Sequence, residues 1–443
     1  EEGEVEPALL SLRLREGKVS GSLAVSRTTG QPLAMLTPVC GDPEVAVYSS
    51  WGEIAPGVPF AMEVVTLATD GGRNVYTTEG SELRDLVAEA LTKFHMPPPA
   101  LLPEDTAYAG PLAEPGGSES LPFFLSRSNH ILVRPSIDGE PIDGVMILDS
   151  GASGYVITRE LADELGLEAF GELYVSGVTQ KVRSQFRRSK TLSLGGVTQQ
   201  CPLFMELPLD GVVNGAPDRV VGILGYDIFR RVVVEVPALR ETPGLTAGAA
   251  SSLSSPGGPP IRRVGVAAAL GDGEEKELIL HNPEAFQLPA GGRWMTTLLV
   301  SNVPHVKAKF YSADGQAFET ILMLDSGAGG AGVLFHSRST NELGLVEALC
   351  AEVPTINVRG VGGGSGEGGG AGGLEARRGT IARLELDCGK FFDVSSLVAT
   401  RGGLDLSLHT SGMICVDLLL TCKVIFDYPR RRVSILQGPL ASR

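Results

Sequence analysis

Two acidic residues stand where chemistry could occur. Asp149 follows the apolar run Val145-Met146-Ile147-Leu148, and Asp325 follows Ile321-Leu322-Met323-Leu324. Each is followed at once by Ser-Gly-Ala: Ser150, Gly151 and Ala152 in one place, Ser326, Gly327 and Ala328 in the other. An apolar run that ends in Asp and small residues reads as a strand delivering a carboxylate into a tight loop. Glycine there lets another backbone come close. Two such loops meeting face to face would bring Asp149 and Asp325 within hydrogen-bonding distance, with the Ser150 and Ser326 hydroxyls able to bond across to the partner loop. Like charges that close cannot both ionise, so the pair shares one proton. The ionised member can take a proton from water while the protonated member polarises a peptide carbonyl. The bland alternative is two turn aspartates bonding their own backbone. Two copies with similar flanks ask for a joint explanation.

The elements that must position these carboxylates come twice in the same order. Ahead of each motif stand two strand-like runs joined by an Asp-Gly turn, Asp138-Gly139 and Asp314-Gly315, a hairpin signal. Behind each come a strand and a helix ending in Glu-Leu-Gly-Leu, with Gly166 and Gly344 where a helix stops on a left-handed residue. The tetrads begin 15 and 17 residues after the motif Asp (164 − 149; 342 − 325). Next come a strand and a glycine turn, at 174–180 and 357–364, and then the runs "GILGYDIF" (222–229) and "GMICVDLL" (412–419). The span from tetrad to the Asp of these runs is 12 residues longer in the second unit, the length of "GGGSGEGGGAGG" (362–373), which reads as a surface-loop insertion. Order and spacing together indicate an internal duplication. Asp227 and Asp417 are expected to cap or orient the short helices they enter. His130 and His305 occupy equivalent places and are expected as partly buried strand-start residues.

Residues 1–95 alternate short apolar runs with turns and close on a helix candidate, "ELRDLVAEALTKF" (82–94). That predicts a small β-rich or α+β domain of unknown role. Residues 96–120 and 241–262 read as Pro/Gly/Ser linkers. Domains are therefore expected at 121–240 and 263–443.

Composition narrows the function classes. The chain has 443 residues, 43% hydrophobic and 20% charged, which suits large cores rather than global disorder. A net charge of −15 disfavours nucleic acid or anionic membrane as the main partner. The apolar runs are too short to span a membrane. The basic runs at 187–190 and 428–433 read as solvated strand ends. The six cysteines show no C-x-x-C spacing, so mostly buried free thiols and an intracellular reducing compartment are expected, with a removed targeting segment left open. The sequence has no H-E-x-x-H, no G-x-S-x-G and no Cys/His cluster. No metal and no organic cofactor are expected.

The "hhLDSGA" motifs, the later "GILGYD" run and the glycine turn between them resemble the retropepsin-like aspartic proteases. The resemblance covers about two-thirds of the chain as two tandem units. It implies a mainly-β fold: two retropepsin-like β-barrel lobes in a pseudo-twofold arrangement, with the N-terminal domain appended. It further implies that Asp149 and Asp325 are catalytic and that Ser150 and Ser326 tie the two loops together. Gly177-Val178-Thr179 and Gly360-Val361-Gly362 would be the tips of flaps closing over a peptide or protein substrate. Ile223-Leu224-Gly225 matches the family's hydrophobic-hydrophobic-Gly element. Met413-Ile414-Cys415 departs from it, and a Cβ and sulfur at Cys415 are expected to crowd the loop carrying Asp325. The expected activity is aspartic-type endopeptidase. The alternatives are a catalytically weak or inactive protease fold serving a larger, organellar assembly, with the N-terminal domain as a protein-partner site, or a peptide-binding module.

Overall fold

The computed structural model describes residues 7–13, 19–26, 31–39, 42–55, 58–68, 73–77, 103–176, 181–239, 262–263, 274–300, 302–350, 355–358, 374–401 and 410–436. The chain divides into one unit of residues Glu1–Ala100 and another comprising Leu101–Leu404 with His409–Arg443. In the first, six strands from Pro7–Arg13 to Arg73–Thr77 each pair with the next in a single sheet. The helix expected at 82–94 lies outside the described residues.

The second unit is mainly β and carries both Asp-Ser-Gly-Ala motifs. Val145–Leu148 is buried along its whole length, the mark of a strand covered on both faces. It runs parallel to Val220–Leu224, with Ile147 opposite Ile223 and Leu148 opposite Leu224. Tyr155–Ile157 then pairs antiparallel with Val220–Leu224 on its other side. The second motif is placed by the same local topology. Ala317–Asp325 runs parallel to Gly412–Cys415, with Asp325 opposite Cys415, and Val333–Phe335 pairs antiparallel with Gly412–Cys415. Each carboxylate thus leaves a strand whose neighbour is the later apolar run, which fixes where the loop starts.

Turn chemistry explains the flanks. Asp138 and Gly139 both adopt positive φ, 54° and 86°, as the tight hairpin between Ser136–Ile137 and Glu140–Pro141 requires. Helix Arg159–Glu164 is capped by the Thr158 side chain, which accepts from the Leu161 N–H. Gly166 follows it at φ 66°, and helix Ser337–Leu343 ends on Gly344 at φ 64°.

One interleaved sheet joins the parts that carry the motifs. Lys276–His281 lies between Ser118–Leu125 and Val233–Val236, and Val233–Val236 in turn pairs with Lys423–Asp427. Strands from the segments 118–236 and 276–427 therefore alternate, and one apolar core runs from Phe123 and Met146 through Phe229 to Phe310 and Phe426. The Phe229 and Tyr428 rings stack at 4.9 Å within it. Burying each such side chain contributes about 1.5–3 kcal/mol.

Three sequence expectations are corrected. Residues 103–120 are not a linker: Thr106–Tyr108 pairs with Val197–Gln200, Leu112 is fully buried, and Ser118 already opens a strand. The described cysteines are free, but only Cys415 and Cys422 are buried; Cys201 is exposed. Arg187, expected at a solvated strand end, is buried against Glu206 at 2.5 Å and Asp163 at 2.9 Å.

Candidate active site

The two motif loops meet. The Ser150 N–H donates to Ser326 Oγ at 2.9 Å and the Ser326 N–H donates to Ser150 Oγ at 3.0 Å. Each hydroxyl then donates onward to the other loop's strand, Ser150 Oγ to the Leu324 carbonyl at 3.0 Å and Ser326 Oγ to the Leu148 carbonyl at 2.8 Å. Four reciprocal bonds in a buried place hold the loops in register. Within each loop the carboxylate is fixed by the amide two residues on: Gly151 N–H to Asp149 Oδ1 at 2.7 Å, Gly327 N–H to Asp325 Oδ1 at 2.8 Å.

The facing glycines make the approach possible. A Cβ on Gly151 would stand 2.5 Å from Asp325 Cγ, and one on Gly327 would overlap the Asp149 carboxyl. With both absent, the carboxyls hydrogen-bond to each other. Asp325 is buried, and Asp149 keeps partial exposure. Burial raises both carboxyls above the ordinary range; the charge of Asp149 raises Asp325 further, to well above it, while backbone N–H donors pull both back. The result is one proton held between two acids.

Ala152 and Ala328 complete the loops through their carbonyls. The Tyr226 N–H donates to the Ala152 carbonyl and the Val416 N–H to the Ala328 carbonyl, each at 2.9 Å. At Gly225 a Cβ would overlap the Gly154 carbonyl and press on that of Ala152, so glycine is required. Cys415 occupies the matching position without crowding Asp325. The Asp325 loop runs two residues longer before its strand resumes at Val333, with Gly330 at φ 95°, and Cys415 packs among Met323, Ala331, Leu334 and Met413. The extra length makes room for the sulfur.

Several contributors were missed from sequence. Asp417 does not cap its helix. Its carboxylate accepts from the Gly330 N–H at 2.6 Å and from Asn129 Nδ2 at 2.7 Å, bracing the Asp325 loop. Asp227 likewise makes no cap and faces Arg231. His130 is buried and reaches the Gly327 carbonyl at 2.9 Å, and the Tyr428 hydroxyl donates to the Ser150 carbonyl at 2.9 Å. No sequence signal marks these long-range partners beyond the matching positions of His130 and His305. Both expected flap tips, Gly177-Val178-Thr179 and Gly360-Val361-Gly362, lie outside the described residues. The strands beside the first, Ala169–Ser176 and Lys181–Arg188, pair antiparallel. Among the described residues no group of three or more metal-ligating side chains gathers.

Residues 133–228, which contain Asp149, Ser150 and Gly225, match the family model described as aspartyl protease. The match covers about a fifth of the chain, the part around the first Asp-Ser-Gly-Ala motif. Among solved structures, an aspartic proteinase from Irpex lacteus is similar over 74% of this chain and 99% of its own, at 10% identity and a TM-score of 0.43. No curated protein matches the chain by sequence. Within the described residues, no helix is long and apolar enough to cross a membrane.

Proposed function

We propose that the chain is an aspartic endopeptidase in which Asp149 and Asp325 form the catalytic dyad, one supplied by each of two duplicated, retropepsin-like units. The observation that carries this reading is the reciprocal Ser150–Ser326 hydrogen bonding that holds the two carboxyls against each other's loops. Aspartic-protease dyads are the known instance of two acids sharing a proton in this way. The substrate is a peptide or protein segment lying across the dyad.

The shared proton divides the labour. The ionised carboxyl takes a proton from a water as the water oxygen bonds to the scissile carbonyl carbon, while the other carboxyl gives its proton to the carbonyl oxygen. A tetrahedral diol results. A proton then passes from the dyad to the amide nitrogen, the C–N bond breaks, and a diol hydroxyl returns its proton to the pair. Atoms and charges balance without metal or cofactor. The rigid serine-linked loops supply the orientation that makes both transfers short.

The test is cleavage of an unfolded polypeptide by Asp149→Asn and Asp325→Asn. A shared-proton pair acts as a unit, so either change alone removes activity and the double variant is no worse. Substantial cleavage by a folded Asp325→Asn would reject the dyad.

A further inference from the structure

The pair is held from outside by side chains whose role the reaction above does not use. We propose that His130 is a positioning residue for the Asp325 loop: its Nε2–H, donated to the Gly327 carbonyl, orients and polarises the peptide that carries the Ala328 N–H. The proposal rests on the reading of Asp149 and Asp325 as the dyad.

The tautomer follows from the partners. Nε2 faces a carbonyl oxygen at 2.9 Å, so it carries the hydrogen. Nδ1 then accepts, from Ser128 Oγ at 2.8 Å with Ser126 Oγ at 3.4 Å, and the His130 backbone N–H donates to Ser126 Oγ at 3.0 Å. The ring is locked on both edges. Burial lowers its pKa, which keeps it neutral. The peptide between Gly327 and Ala328 is bonded at both ends, its carbonyl by His130 and its N–H by the Asp325 carboxyl. A hydrogen bond at the carbonyl strengthens donation by the N–H of the same peptide.

The other loop carries the same device with a different residue. The Tyr428 hydroxyl donates to the Ser150 carbonyl at 2.9 Å, and the Gly151 N–H of that peptide donates to Asp149 Oδ1 at 2.7 Å. Each carboxyl thus receives an N–H whose peptide is polarised by a side chain distant in sequence. His305, at the matching place in the second unit, instead turns Nδ1 to the Val303 carbonyl at 2.9 Å. The neighbouring segment adds support: Asn129 meets Asp417, and the Ser128 carbonyl lies so close to Gly329 that a Cβ there would overlap it. The acidic groups facing His130 are Asp325 through this peptide, Asp149 beyond it, and Asp417 through Asn129.

The experiment compares His130→Phe, which fills the space without a donor, with His130→Gln, whose side-chain N–H reaches as Nε2 does. Carboxyl-13C-aspartate NMR follows the titration of the pair, and cleavage of reduced, unfolded casein gives kcat and KM. In His130→Phe the pair's first transition moves to higher pH by about 0.5 unit, because a weaker N–H favours the charged form less. Its kcat falls about ten-fold with KM within about two-fold, and His130→Gln restores both. An unchanged titration and kcat in folded His130→Phe, or a folded His130→Gln no better than Phe, overturns the proposal. Should His130→Phe fail to fold, Ser128→Ala frees the ring's Nδ1 edge; a smaller upward shift supports the proposal and no shift overturns it. Casein cleavage by Asp325→Asn would sink the dyad reading instead, leaving the 13C titration to judge His130 alone.

Discussion

Lowering the pH should weaken the fold through one histidine remote from the dyad chemistry. His336 closes the strand Val333–Phe335, is fully buried, and neither ring nitrogen has a hydrogen-bond partner. Burial first, and then the nearby charges of Arg338 and His305, push its pKa down to about 3. Its unfolded value is about 6.5. A folded pKa below the unfolded one means that the unfolded chain binds the proton more readily, so stability is full above pH 6.5 and falls as the pH drops toward 3. Linkage over that window gives a loss of about 2 kcal/mol at pH 5 and about 3 kcal/mol at pH 4.5 relative to pH 7. His336→Leu removes the titrating group at similar volume and leaves no orphaned polar atom. Urea-unfolding midpoints followed by tryptophan-independent far-UV circular dichroism, for wild type and His336→Leu at pH 7, 5 and 4.5, provide the assay. Wild type should lose more stability than His336→Leu as the pH falls, so the gap between the two curves widens. Parallel curves would show that His336 is protonated in the folded state or that it titrates without cost.

Other expectations follow from the same contacts. Ser150→Ala removes the acceptor for Ser326 N–H and the donor to Leu324, and should cost about 2–4 kcal/mol; Ser326→Ala should match it, and the double variant should cost less than the two together, by thermal unfolding. Gly225→Ala should cost about 2–3 kcal/mol because its Cβ meets two backbone carbonyls. Cys415→Gly should also destabilise, by about 2 kcal/mol, since it empties a packed apolar site instead of relieving a clash. Ala152→Thr with Ala328→Thr should move the acidic limb of kcat/KM to lower pH, because added hydroxyls donate to the charged carboxylates; a limb that stays put or moves up refutes this.

Local pattern carried the strand, turn and helix ends, because these depend on neighbours in sequence. Val145–Leu148 leading into Asp149, the Asp138-Gly139 hairpin and the stops at Gly166 and Gly344 all appear where residue type alone puts them. The spacing held more than the motif did. The second tetrad lies two residues farther from its Asp than the first, and those two residues sit in the Asp325 loop, where they admit Cys415. Reading Cys415 against the motif alone predicted crowding; reading it against the loop length would have predicted room. What stayed hidden was contact across the fold. His130 and Gly327 are 197 residues apart, Asn129 and Asp417 288, and no periodicity links them. Arg187 looked solvated because its partner Glu206 reaches it only once their strands, Lys181–Arg188 and Leu203–Glu206, pair.

The Asp149–Asp325 pair and His336 pull stability in opposite directions with pH. Both carboxyls of the pair have folded pKa values above their unfolded ones, so the stability they contribute is present at low pH and is lost as the pH rises through their folded transitions. His336 has the reverse sign, stabilising above pH 6.5 and costing as the pH falls. A dyad that needs one retained proton favours acid, whereas a buried imidazole without a partner penalises it. The two effects oppose each other across mild acidity, the range in which the proposed mechanism needs one proton on the pair. Substituting His336→Leu should widen this range on the acid side only. Activity retained after incubation at pH 4 should rise in that variant, while the pH dependence of kcat/KM measured in brief assays stays where the dyad sets it. A shift of the brief-assay profile along with the survival curve would mean that the histidine and the dyad titrate as one system.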